Sequence, residues 1–104
     1  MVNWPALLKL DGDDELLYLA SEIQFHHECD DMILGAADHV IDCQGQRYHI
    51  HRTANTLTLV ADHQWYSAAE VSQLIQAHEF AAAQVCVTKI YFPTVEQAVK
   101  AMAF

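Results

Sequence analysis

Residues Gln84–Phe92 read QVCVTKIYF. Val85, Val87 and Tyr91 alternate with Cys86, Ile90 and Phe92, so both faces of an extended chain would be apolar. A strand of that kind is central and covered on both sides. Two helix signals flank it. Upstream, Ser67 with Glu70 fits a capping box, and Val71, Leu74, Ile75 and His78 follow at i, i+3, i+4 and i+7. Downstream, Pro93 stops the strand and Thr94 with Gln97 opens a second box. Val95, Ala98, Val99 and Met102 then form the stripe of a final helix that ends near Phe104.

Working back, Thr56–Ala61 (TLTLVA) alternates as a strand. With helix Ser67–Ala83 and strand Val85–Phe92 it predicts a βαβ unit with parallel strands and a right-handed connection. Asp62–Tyr66 is read as a connection. His39–Cys43 and Gln46–His51 form a hairpin about a two-residue Gln44-Gly45 turn. That register sets Asp42 opposite Arg47 as a surface ion pair, Ile41 opposite Tyr48 and Val40 opposite His49. The face of His39, Ile41, Cys43, Tyr48 and Ile50 is then core. The face of Asp38, Val40, Asp42, Arg47, His49 and His51 is solvent.

At the start of the chain, Pro5–Leu10 and Glu15–Ala20 read as a hairpin about the Asp11–Asp14 turn. Ser21–Asp30 fits a short helix with Ser21 as N-cap, and Met32–Leu34 fits a short strand. The expected fold is α+β: a mixed sheet of five or six strands, with N-terminal hairpins, a C-terminal βαβ unit and two C-terminal helices packed on it. At 104 residues the chain is expected to be one domain, residues 1–104.

The net charge is -9, from 14 Asp+Glu against 5 Lys+Arg. Such a surface repels phosphate backbones and anionic membranes, so neither nucleic acid nor membrane is an expected partner. Three cysteines, Cys29, Cys43 and Cys86, without CxxC spacing make neither a disulfide framework nor a zinc knuckle. No basic-then-apolar leader opens the sequence, and no apolar run reaches the roughly 20 residues that span a bilayer. The expected compartment is the cytoplasm.

Several residues invite chemistry. His49 and His51, two apart on a strand, share a face, and with Asp38 opposite His51 they would suit a transition metal. A common exposed His-x-His strand is the plainer reading. Cys29 beside His26 and His27 suggests a thiol nucleophile, but no nucleophile–base–orienter set is visible, so an enzyme is not expected. Asp11–Glu15 resembles the opening of a calcium loop, yet Leu16 stands where the sharp turn needs glycine, and a solvated turn is preferred. His78 is expected to be a hydrogen-bonded boundary residue. Tyr66 is expected as a staple against Val71. Trp65 is left as an aromatic contact or a cleft wall.

Two longer stretches carry a resemblance: Trp4–Glu22 (WPALLKLDGDDELLYLASE) and Glu70–Met102, with EVSQLIQAHEF and VCVTKIYFPTVEQAVKAM. They resemble a family of small single-domain bacterial proteins described as a domain of unknown function. The likeness spans most of the chain. It implies a one-domain cytoplasmic protein and transfers no catalytic or binding residue. The functional expectation is a non-enzymatic protein that acts through contacts with a protein partner, a homodimer among them. An edge strand, Pro5–Leu10 or Thr56–Ala61, would pair across the two-fold axis. The alternative is a small-ligand or transition-metal-binding protein using His49 and His51.

Overall fold

The computed structural model describes residues 1–54, 56–83 and 91–103. In chain order the elements are β1 (Ala6–Lys9), β2 (Leu16–Leu19), α1 (Glu22–Cys29), β3 (His39–Asp42), β4 (Gln46–Thr53), β5 (Thr56–Trp65), α2 (Ala68–Ala83) and α3 (Val95–Lys100). The fold is α+β, as expected. Five strands form one sheet in the order β2-β1-β3-β4-β5, and every described pairing is antiparallel. The expected strand through residues 84–90, with its parallel pairing, lies outside the described residues. Tyr91 and Phe92 belong to no strand, and neither does Met32–Leu34.

Helices cover the two faces of the sheet. On one side Leu7, Leu16 and Ile41 pack with Val71 and Ile75 of α2 and Ala98 and Val99 of α3. On the other, Ala6, Leu8, Leu19, Val40, Tyr48 and Leu57 pack with Phe25 and Cys29 of α1. Interior strands β1 and β3 are therefore apolar on both faces, the property of a doubly covered strand. Burying Phe25 contributes about 1.5–3 kcal/mol.

The caps hold as the sequence predicts. Ser67 Oγ accepts the Glu70 N–H at 3.1 Å and Glu70 Oε1 accepts the Ser67 N–H at 2.9 Å. Ser21 caps α1 and Thr94 caps α3. The stripes hold too: Val71, Ile75, Ala98, Val99 and Met102 are all buried.

Two expectations about the sheet are corrected. The central hairpin pairs His39 with His49, Val40 with Tyr48 and Ile41 with Arg47, one residue away from the expected register. Gly45, at φ 93°, is the left-handed residue that closes an Asp42–Gly45 turn, not the second residue of a two-residue turn. That makes the loop Cys43-Gln44-Gly45, a turn plus a glycine bulge. The slip turns every side chain of one strand over relative to its partner. Val40 and Asp42 are thus buried on the α1 side. The second correction concerns β1: it lies between β2 and β3, so Pro5–Leu10 is no edge. Among the described strands the edges are β2 and β5.

Candidate functional site

β5 is longer than the sequence suggested, because residues 62–65 continue the strand through a bulge. Tyr48 pairs with Ala61 and Gln46 with Trp65, so Arg47 alone on β4 faces Asp62, His63 and Gln64. Asp62 holds this bulge together. Its Oδ1 accepts the Gln64 N–H at 2.8 Å. Its Oδ2 receives Arg47 Nε at 2.6 Å and lies 2.8 Å from His49 Nε2. Its carbonyl accepts Gln46 Nε2 at 2.6 Å. Burial pushes the Asp62 carboxyl up, but the Gln64 amide, the Arg47 guanidinium and His49 outweigh it, and its pKa is lowered. The hydrogen bond to Asp62 raises Arg47 in turn.

Next to this triad sits a second polar pair. Tyr66 Oη and His39 Nε2 are 3.2 Å apart, and the rings stack with centroids 6.1 Å apart. His39 Nδ1 lies 3.0 Å from the Ala37 carbonyl, which can only accept, so Nδ1–H donates to it and Nε2 is left to accept from Tyr66. Burial lowers the His39 pKa, helped by the nearby Arg47 and Lys9 charges. Arg47, His49, Asp62, His63, Gln64 and Trp65 line an open depression on the flank of β5. Trp65 is 59% exposed and Val60 is 48% exposed.

On the α1 side of the same strand lies an apolar cleft of about 560 Å³, walled by Val2, Trp4, Phe25, Leu57 and Leu59. Glu22 and His26 stand at its rim. Among the described strands β5 is therefore a ten-residue edge, with a polar depression on one flank and an apolar cleft on the other.

The residues singled out from sequence fall as follows. His49 and His51 share a face of β4, but Asp38 does not join them. Its two oxygens accept the Asp11 N–H at 2.7 Å and the Gly35 N–H at 2.6 Å. The acid beside His49 is Asp62. Among the described residues no three His, Cys, Asp or Glu are grouped to hold a metal ion. Cys29 is buried and free, and burial, with Glu28 and Asp30 nearby, pushes its pKa up to about 11. Its thiol is protonated at neutral pH. His26 Nδ1 lies 2.9 Å from Asp30 Oδ1 instead of engaging Cys29. His78 Nδ1 accepts the Leu16 N–H of β2 at 2.9 Å, as befits a boundary histidine. Tyr66 packs against the cluster that contains Val71.

Asp42 is the largest departure. Expected in a surface pair with Arg47, it is 0% exposed. Its Oδ1 accepts the Gln44 and Gln46 amides at 2.9 and 3.0 Å. Its Oδ2 accepts the Asn3 amide and the Tyr48 hydroxyl, both at 3.1 Å. The carboxylate fixes the Gly45 loop and ties the N-terminal segment to the sheet. Asp62 was missed for a related reason: it reads as a loop residue until the bulge is known.

A family model described as "protein structure with unknown function" (DUF4144) matches residues 4–102. The NMR structure of a protein from Shewanella amazonensis superposes with a TM-score of 0.70 at 23% identity, covering 98% of this chain and 88% of that one. That likeness shows the fold. No curated protein matches the chain. The chain belongs to the DUF4144 family, in agreement with the resemblance carried by Trp4–Glu22 and Glu70–Met102.

Proposed function

We propose that this member of the DUF4144 family is a non-enzymatic cytoplasmic protein that acts through protein contacts, made by adding a partner strand to β5. One observation carries the reading: β5 is a long edge among the described strands, with an apolar cleft beside it. Strand addition works in this way. Backbone hydrogen bonds along an open edge give affinity, and recesses for alternate side chains give selectivity. Exposed Val60 and Trp65 add apolar area on the strand itself. The protonated Cys29 thiol weighs against a thiol enzyme. The free Cys29 and Cys43 suit a reducing compartment. Among the described residues no helix is long and apolar enough to cross a membrane.

The test is a photo-crosslinking amino acid placed at Thr58 on β5, with Gln73 on the exposed side of α2 as control. The expected result is a discrete adduct in cells at Thr58 and none at Gln73. Equal labelling at both, or none at either, overturns the reading.

A second reading rests on the 2.8 Å approach of His49 to Asp62 in the depression that His63 also lines. A transition metal or small ligand would bind there through His49 and His51, while Asp62, held by Arg47, stands beside His49. Replacing both His49 and His51 by Ala would then abolish stoichiometric binding. Unchanged binding removes this reading.

A further inference from the structure

We infer that the strand received by β5 is β5 of a second copy of this chain, paired antiparallel about a two-fold axis. The inference rests on the strand-addition reading and names its partner. Three observations carry it.

The first is charge. Two copies of a chain with net charge -9 repel unless they meet where that charge is absent. Residues 1–45 hold ten Asp and Glu against Lys9, whereas 46–65 hold Arg47 and Arg52 against Asp62. Asp62 is itself ion-paired with Arg47. Thr56–Ala61 carries no charge at all. Residues 66–104 hold Glu70, Glu79 and Glu96 against Lys89 and Lys100, so the β4–β5 hairpin is the least acidic part of the chain and the one whose charge least opposes approach of its own copy.

The second is the other described edge. At β2 the Leu16 N–H is already taken by His78, and Asp13, Asp14 and Glu15 crowd its start. Charge and cover are the usual defences of an edge strand. Among the described residues β2 has both and Thr56–Ala61 has neither.

The third is geometry. The bulge at residues 62–64 breaks the regular ladder and twists the strand, so the segment free to pair is Thr56–Ala61. A two-fold axis perpendicular to the sheet must meet β5 at one residue, which then faces its own copy. Near the middle of this segment that residue is Thr58 or Leu59. Leu57 and Leu59 of both copies then meet on the α1 side, and the two apolar clefts join. Thr58 and Val60 meet on the other side. A ten-stranded continuous sheet results from the described strands.

The test uses the full chain in two measurements. Analytical ultracentrifugation across a dilution series gives the dimer constant, and hydrogen exchange gives protection of the Thr56–Ala61 amides at high and low concentration. The same is done for Val60→Lys, which places like charges across the axis on an already exposed side chain. The expected result is a dimer whose β5 amides lose protection on dilution, and a Val60→Lys dissociation constant raised at least about tenfold with unchanged circular dichroism. A dimer with freely exchanging β5 amides and no response to Val60→Lys overturns both this inference and the strand-addition reading. A monomer at every concentration that still gives the Thr58 cross-link to another protein overturns this inference and leaves strand addition standing.

Discussion

The hydroxyl of Tyr48 donates to the buried carboxylate of Asp42 at 3.1 Å, and the same hydroxyl lies 3.0 Å from the Met1 carbonyl. Burial first, and then the Asp42 charge, push the Tyr48 pKa up to about 12. A phenol raised in this way favours the folded state fully below its unfolded pKa of roughly 10, and that contribution is lost as pH rises through the folded value. Among the four tyrosines, one should ionise late in an alkaline ultraviolet titration. Tyr48→Phe should remove that late component and lower stability in urea by about 2 kcal/mol, the range for a hydrogen bond to a charged group. A late component that persists in Tyr48→Phe would assign it elsewhere.

Gly45 tolerates no side chain. A Cβ there would stand 2.4 Å from the Tyr66 carbonyl oxygen, at a φ of 93°. Its own carbonyl accepts the Tyr66 N–H at 2.7 Å, joining the central hairpin to the start of α2. Gly45→Ala should cost about 2–3 kcal/mol, from the left-handed backbone and the displaced strand end together. A melting temperature within a degree or two of the parent would contradict this placement.

Asp62 has a lowered pKa in the folded state. Its contribution is therefore present above the unfolded carboxylate pKa near 4 and is lost as pH falls through the folded value. Asp62→Asn should weaken the protein by about 1 kcal/mol at neutral pH, a modest figure because the group keeps some contact with solvent. The variant should also show a shallower loss of stability on acidification. Parallel acid limbs for parent and variant would show that the carboxylate does not organise the bulge.

Ala54, in the turn between β4 and β5, has φ 54°. A non-glycine residue there carries roughly 1 kcal/mol of strain. Ala54→Gly should raise the midpoint of urea unfolding, with a gain of about 0.5–1 kcal/mol after the added freedom of the unfolded chain is counted. A lower midpoint would mean that chain entropy outweighs the strain.

The parts of the fold that depend on local chemistry were legible. Ser21, Ser67 and Thr94 cap the helices they precede, because capping is decided within four residues. Helix stripes on α2 and α3 follow the same short-range logic. The five described strands are also readable, although Met32–Leu34 forms none, but strand order is not, since nothing in PALLKL says whether its neighbours come from Glu15–Ala20, from His39–Cys43 or from both. The register of the central hairpin failed on one glycine. A two-residue turn and a three-residue loop ending in glycine share the sequence Gln44-Gly45, and only the pairing of Val40 with Tyr48 separates them. The candidate site suffered most from that slip. The expected register sets Asp38 opposite His51 and Asp42 at the surface, whereas the acid beside His49 is Asp62 and Asp42 is buried. The bulge that brings Asp62 to Arg47 and His49 leaves no mark in sequence beyond a pattern that stops alternating.

The sheet order β2-β1-β3-β4-β5 has a consequence for synthesis on the ribosome. Each described strand after β2 meets an edge left open by an earlier one: β3 joins β1, β4 joins β3 and β5 joins β4. The sheet can therefore grow in one direction as the chain emerges, with no strand needing to be threaded between two already in place. Domains that grow by successive short-range additions avoid long waits for distant partners. The last of these additions is β5. The nascent chain thus exposes in turn β1, β3 and β4 as temporary edges, and on this side of the described sheet β5 is the one that elongation leaves behind.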